Sequence, residues 1–274
     1  MASALAGCSV LGSRGAPETF HGGDWRSFGN GPANANRVAG GTPEPDGYDI
    51  VASADWSYAP PAVHDGVVYF GAGRQVVAVT PDGDERWSRR LDSEGSGLDS
   101  EVTGAPALDA GRGRLYVPTE TLETKEGPDP PPATVTVLSL DEGDVLDAYR
   151  VGDGRTYGVT VVDGDVYARS ATACVRLGPD GTERWRRSLD PLVYDEYNLG
   201  DSTATQIPPA VTGEGVYATD RDALVKLDPE SGEARWRVPV DTPYAAPVVD
   251  DGGVVQTGWL GTVAVDRAGE VRWR

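Results

Sequence analysis

The sequence predicts an all-β fold assembled from tandem four-stranded antiparallel units. Three observations carry that expectation. A short phrase recurs along the 274 residues as GDERWS, GTERWR, GEARWR and GEVRWR. Asp-Gly pairs stand between alternating apolar runs, the strongest short hairpin signal, because the favoured two-residue turn needs positive φ at both positions. The composition, with 36 Gly, 21 Pro, 11 Tyr, 7 Trp and a single Met, suits many short strands rather than long helices. No segment repeats apolar residues at helical spacing over three turns.

The units follow in order at 60–91, 104–151, 157–189, 208–240 and 246–274. In the first, strand candidates run over Pro61–Val63, Val67–Gly71, Val76–Thr80 and Glu85–Leu91, separated by HDG, AGR and PDG. Spacing supports the alignment: 18 residues separate Tyr69 from Trp87 and Tyr167 from Trp185, 19 separate Tyr217 from Trp236, and 18 separate Val255 from Trp273. In the second, divergent unit the distance from Tyr116 to Asp147 is 31, and the excess coincides with ETKEGPDPPP. Proline and charge mark that stretch as a loop inserted into a hairpin. Tandem four-stranded units of this length predict a β-propeller. Trp87, Trp185, Trp236 and Trp273 follow the turn glycine in four units, so each ring is expected to dock on the neighbouring blade.

Residues 1–47 are read apart from the propeller of 48–274, as a Gly/Pro-rich flexible tether behind the tetrapeptide LAGC. That tetrapeptide, Leu5 to Cys8, is similar to the lipobox of secreted lipoproteins, which implies lipidation of Cys8 and an anchor on the extracellular side of the membrane. Only seven residues precede Cys8, fewer than a signal segment needs. The net charge of -19 excludes nucleic acid and leaves a membrane reachable only through a lipid. Two of the 24 basic residues are lysine, Lys125 and Lys226, and such an acidic, lysine-poor surface suggests a salt-loving source. Cys174, in an apolar run, is expected to be a buried hydrophobe.

The string Lys226-Leu227-Asp228-Pro229-Glu230-Ser231-Gly232-Glu233-Ala234-Arg235-Trp236 resembles the tryptophan-docking motif of the pyrroloquinoline quinone (PQQ) repeat propellers, Ala-x-Asp-x-x-Thr-Gly-Lys-x-x-Trp. Ala264, Asp266, Gly269 and Trp273 keep it in the last unit, and Trp25 to Arg37 is similar to the segment that opens such propellers. The resemblance covers about residues 25–274. It implies a propeller, and either a quinone-dependent dehydrogenase or a non-catalytic scaffold of the outer-membrane assembly lipoprotein type. The dehydrogenases would bring adjacent cysteines, calcium and an aspartate base; this chain has no Cys-Cys pair.

Chemistry-bearing motifs are few. His21 and His64 stand alone, and zinc, nucleophile-elbow and phosphate-loop spacings are missing. One acidic loop remains, Tyr194 to Thr203, where Asp195, Glu196, Asn198 and Asp201 offer oxygen ligands for calcium and Tyr194 and Tyr197 stand beside them. Trp259 is expected at the surface, stacked on a sugar or partner or packed on a neighbouring edge. The function expected is a non-enzymatic surface scaffold that offers its loop face to a protein partner, with no cofactor. The alternatives are a PQQ-dependent oxidoreductase or its inactive relic, using PQQ or calcium, and a carbohydrate-binding module. Five units suit either a five-bladed array with an irregular seam or part of a six- to eight-bladed ring, and the second is preferred. Closure between the strand around Trp56 and the unit of Trp273 is expected to be incomplete or strained.

Overall fold

The computed structural model describes residues 24, 26–29, 31–34, 59–91, 100–121, 130–192 and 206–274. Blade I comprises β1 (Ala62–His64), β2 (Val67–Ala72), β3 (Gln75–Val79) and β4 (Glu85–Arg90). Blade II comprises β5 (Ser100–Val102), β6 (Ala107–Asp109), β7 (Arg114–Thr121), β8 (Pro132–Ser139) and β9 (Val145–Asp153). Blade III comprises β10 (Thr156–Val162), β11 (Asp165–Ser170), β12 (Ala173–Leu177) and β13 (Glu183–Ser188). Blade IV comprises β14 (Ala210–Thr212), β15 (Gly215–Asp220), β16 (Ala223–Leu227) and β17 (Ala234–Pro239). Blade V comprises β18 (Val248–Asp250), β19 (Gly253–Thr257), β20 (Thr262–Val265) and β21 (Val271–Trp273). Each blade is an antiparallel meander; blade II carries β5 as a fifth strand, paired with the far end of β7. The first-blade strands lie within one residue of those read from the turn signals. Asp65 and Gly66, both at positive φ, close the first hairpin as Asp-Gly requires.

The blades stack face to face, and every junction uses the same two surfaces. In blade I, Tyr69 pairs with Ala78 and Ala78 with Trp87, a row that packs against Leu115, Leu138 and Leu140 of blade II. Tyr167, Arg176 and Trp185 repeat the row in blade III, and Tyr217, Lys226 and Trp236 in blade IV. We call this the donating face. The opposite, receiving face is aliphatic: Val166, Ala168, Val175 and Leu177 in blade III, and Val216, Ala218, Val225 and Leu227 in blade IV. Burial of these rows supplies the cohesion between sheets that share no strand pairing.

A repeated latch fixes the junctions. Trp87 lies on Gly143, Trp185 on Gly232 and Trp236 on Gly269, so closely that a Cβ on each glycine would stand 2.5, 2.7 and 2.8 Å from the ring. Each indole Nε1 donates to a carbonyl of that turn: Leu140 at 2.9 Å, Pro229 at 2.8 Å and Arg267 at 3.2 Å. Arg176 and Lys226 donate to those same carbonyls of Pro229 and Arg267. Blade II departs from the pattern. Asp147 holds the tryptophan register, opposite Val137, but it is exposed, and Tyr149 two residues on rests on Gly181 instead. Arg114 supplies the missing donor, to the Pro179 carbonyl at 2.6 Å.

Residues 24, 26–29 and 31–34, which the sequence assigns to the tether, are packed into the array. Arg26 accepts from the Leu108 amide of β6, Pro32 from Val211 of β14 and Ala33 from Val249 of β18. Asn34 donates to the carbonyls of Pro208 and Pro247 at the entrances of blades IV and V. The described part of this segment thus runs along the innermost strands as an axial strap. Its glycine permits what a tether reading overlooks: a Cβ on Gly29 would meet the Asn34 backbone at 2.3 Å. Among the described residues no strand pairing or core cluster joins blade I to blade V. Trp56 lies outside the described residues.

Candidate binding surfaces on the loop face and the last blade

Antiparallel meanders place two kinds of connection at one end of the array: those between blades, and the turn in the middle of each blade. This end is the loop face. Arg155, in the connection from blade II to blade III, is 6% exposed, and its Nε and Nη1 have no hydrogen-bond partner. Its nearest anion is Glu120, with Oε2 at 3.6 Å from Nε. Gln206, entering blade IV, accepts from the Ala105 amide of blade II at 2.7 Å while its buried Nε2 is unpaired. Three buried donor atoms on these two residues thus make no hydrogen bond, although Arg155 is ion-paired with Glu120, and an acceptor-rich ligand would relieve their desolvation cost.

Arg169 is the opposite case. It is fully buried at the end of β11, stacks on Tyr157 and donates to the carbonyls of Thr219 at 2.8 Å, Asp190 at 2.7 Å and Ser170. Burial pulls its pKa down to about 10. It ties blade III to blade IV and is fully engaged. Cys174 is buried as expected, and burial pushes its thiol up to about 12.

The rim of the loop face is more open. A cleft of about 810 Å3 between blades I and II opens there and runs to Asp144 and Val145 near the opposite end, with Arg90, Ser100, Thr121 and Thr134 also among its lining residues. In blade V the central turn projects Trp259, 66% exposed, and Leu260, 81% exposed. Trp259 donates its backbone N–H to the carbonyls of Asp241 and Thr242, and Gly258 donates to Gly261, so the tip is held by backbone bonds while both side chains face outward. Tyr244 is exposed in the same blade's entry loop.

At the opposite end, Asp24, His64 and Asp65 bring three ligand-type groups within 4.8 Å of one another. His64 Nδ1 and the Arg26 guanidinium already approach the same Asp24 oxygen, at 2.9 and 2.8 Å, so the cluster works as a clamp on the strap. No motif spacing pointed to it, because the partners are 40 residues apart. Of the residues singled out in sequence, Trp87, Trp185 and Trp236 lie on the turn glycines of the next blade, whereas Trp273 is 52% exposed. Asp195, Glu196, Asn198, Asp201, Tyr194, Tyr197, His21 and Cys8 lie outside the described residues.

Comparison with known proteins agrees with this geometry. Residues 162–274 match the family model described as outer membrane protein assembly factor BamB. BamB from Moraxella catarrhalis superposes with a TM-score of 0.58 at 16% identity, over 80% of this chain and 64% of that one. Quinohemoprotein alcohol dehydrogenase from Comamonas testosteroni gives 0.60 at 16% identity, over 90% of this chain and 48% of the other. A europium-containing methanol dehydrogenase gives 0.52 at 13% identity, over 91% and 57%. The chain thus spans less than two thirds of each of these structures, and the likeness establishes the propeller fold. No curated protein matches the sequence.

Proposed function

We propose that this chain is a non-enzymatic propeller scaffold that binds a protein partner on its loop face. The observation that carries this reading is the pair of outward side chains Trp259 and Leu260 on a backbone-fixed turn, beside the exposed Tyr244. Aromatic and aliphatic anchors held rigidly at a rim are what a protein interface buries at its centre. The BamB-type match over residues 162–274, which include that turn, supports the same direction. Lipidation at Cys8, with residues 1–23 as tether, would hold the scaffold on the extracellular side of the membrane, and metabolic labelling with a fatty acid should mark wild type but not Cys8→Ser. A photo-crosslinking residue at position 260 should give one discrete protein adduct in the native host, while the same group at exposed Asp141 on the opposite end should not. Equal labelling patterns at both positions would sink the proposal.

A second reading has its own observation. The unpaired donors of Arg155 and Gln206 fit the carboxylates of an anionic cofactor such as PQQ, which would supply two-electron redox chemistry when bound; the residues here would only hold and orient it. Incubation with PQQ and calcium should then perturb the quinone absorbance in wild type and not in Arg155→Gln. An unchanged spectrum in both leaves the scaffold reading.

A further inference from the structure

We propose that Thr242, in the connection from blade IV to blade V, is the positioning residue that holds the Trp259–Leu260 turn in the geometry its partner binds, which rests on the scaffold reading of the loop face. Four non-glycine residues among those described have positive φ: Asn34, Asp65, Asp163 and Thr242. Asn and Asp tolerate this region, whereas a β-branched side chain there is strained. Thr242, at φ 40°, also stands before Pro243, whose ring narrows its backbone choices further. Such a conformation persists only where the surroundings over-determine it.

Here the surroundings are the turn itself. In blades I, III and IV the central turn is two residues long, Gly73–Arg74, Ala171–Thr172 and Arg221–Asp222. Each accepts a bond from the exit of its own blade: Leu91 donates to Arg74 at 2.9 Å, Leu189 to Thr172 at 3.1 Å and Val240 to Asp222 at 2.9 Å. Blade V reverses the direction. Its turn is four residues long, Gly258 to Gly261, and the Trp259 amide donates backward to the carbonyls of Asp241 at 3.0 Å and Thr242 at 3.1 Å. Pro243 forms a bridge with Gly258, and Tyr244 donates to the Thr257 carbonyl at 3.3 Å. The turn is therefore held from the blade IV side, by chain that precedes it.

Both sides of this contact depend on close approach. A Cβ on Gly258 would stand 2.1 Å from the Asp241 carbonyl oxygen, so glycine is what lets the turn seat on the connection. Turning Thr242 out of the left-handed region would carry its carbonyl away from the Trp259 amide. Glycine at 242 would remove the strain but open other backbone wells to the connection, whereas asparagine would relieve much of the strain and keep the chain more confined. The two substitutions separate relief of strain from loss of order.

The test uses the full chain with the photo-crosslinking residue at position 260 in the native host, together with hydrogen exchange of the Trp259 amide in the purified protein. Thr242→Gly should cut the discrete adduct about 10-fold and speed Trp259 exchange by about the same factor, with a Tm no lower than wild type. Thr242→Asn should keep the adduct and the slow exchange while its Tm rises by about 2–4 °C. Gly258→Ala, which unseats the turn from the other side, should lose the adduct as Thr242→Gly does. A residue with a merely structural role would move stability and adduct together. If the chain with Thr242 intact yields no adduct, the scaffold reading falls and Trp259 exchange alone decides the role of Thr242. Equal Trp259 exchange in wild type and Thr242→Gly, or an undiminished adduct in Thr242→Gly, would overturn the proposal.

Discussion

Trp185 and Trp273 share one sequence context and differ in surroundings, so they separate packing from pattern. Trp185→Ala removes a buried ring from Gly232 and leaves the Pro229 carbonyl one donor short. It should cost about 3–5 kcal/mol in urea unfolding. Trp273→Ala should fall within about 0.5 kcal/mol of wild type. Tyr149→Ala should behave like the first and Asp147→Ala like the second, although Asp147 is the residue that spacing aligns with the tryptophans. The sequence could show which column a residue occupies. It could not show that a larger side chain two residues on, on the same strand face, would take over the docking.

Asp24 is also decided by its neighbours. Burial acts to raise its pKa, but hydrogen bonds from His64, Arg26 and the Asp65 amide outweigh this and hold the carboxyl below its ordinary value. A carboxyl with a depressed folded-state pKa adds stability at neutral pH, and that stability is lost as the pH falls through the folded value. Asp24→Asn should therefore lower stability by about 1 kcal/mol at pH 7, and the gap between variant and wild type should close toward pH 3. Thermal unfolding of both proteins across that range measures it. The Cys174 thiol, held neutral by burial, should resist alkylation in the native state and react on unfolding.

Among the elements, strands and turns were the legible part. Asp-Gly, Gly-x-x-x-Trp and period-two alternation depend on neighbours within a few residues, and they placed the first blade's strands to within one residue. The axial strap was not legible. Its segment has no strand alternation, and what holds it are single backbone bonds to β6, β14 and β18 together with the side chains of Asn34 and Asp24, whose partners lie far along the chain. Gly and Pro, read as signs of a tether, there allow close approach to inner strands. Deleting residues 24–34 should raise the hydrogen-exchange rates of the Leu108, Val211 and Val249 amides by at least about 10-fold, while the Val175 amide inside blade III should change little. Equal exchange at all four would show that the strap does not protect the inner strands.

For the molecule as a whole, the repeat count was readable because each unit carries its own turn chemistry, and the propeller architecture followed from it. The functional surfaces were harder to see. Arg155 and Gln206 come from two different connections, and no spacing rule links them. Trp259 was expected at the surface but Leu260 beside it was not singled out, and the exposure of both depends on a backbone bond network around Asp241 and Thr242. An Arg155→Met variant should leave loop-face protein binding intact if those rim side chains carry it, and Trp259→Ala with Leu260→Ala should abolish it; a binding assay with the cross-linked partner distinguishes the two.

The strap also sets an order of events in time. Asn34 is made early on the ribosome, yet its amide contacts stand 174 and 213 residues further along, at Pro208 and Pro247. A piece synthesised before every blade is thus among the last to find its place. Closing so long a separation is slow relative to forming local hairpins. During translation the nascent chain should collect blade after blade around a vacant centre, and the centre should fill only after blade V has emerged. Refolding followed at the strap should accordingly lag behind refolding followed at Trp185.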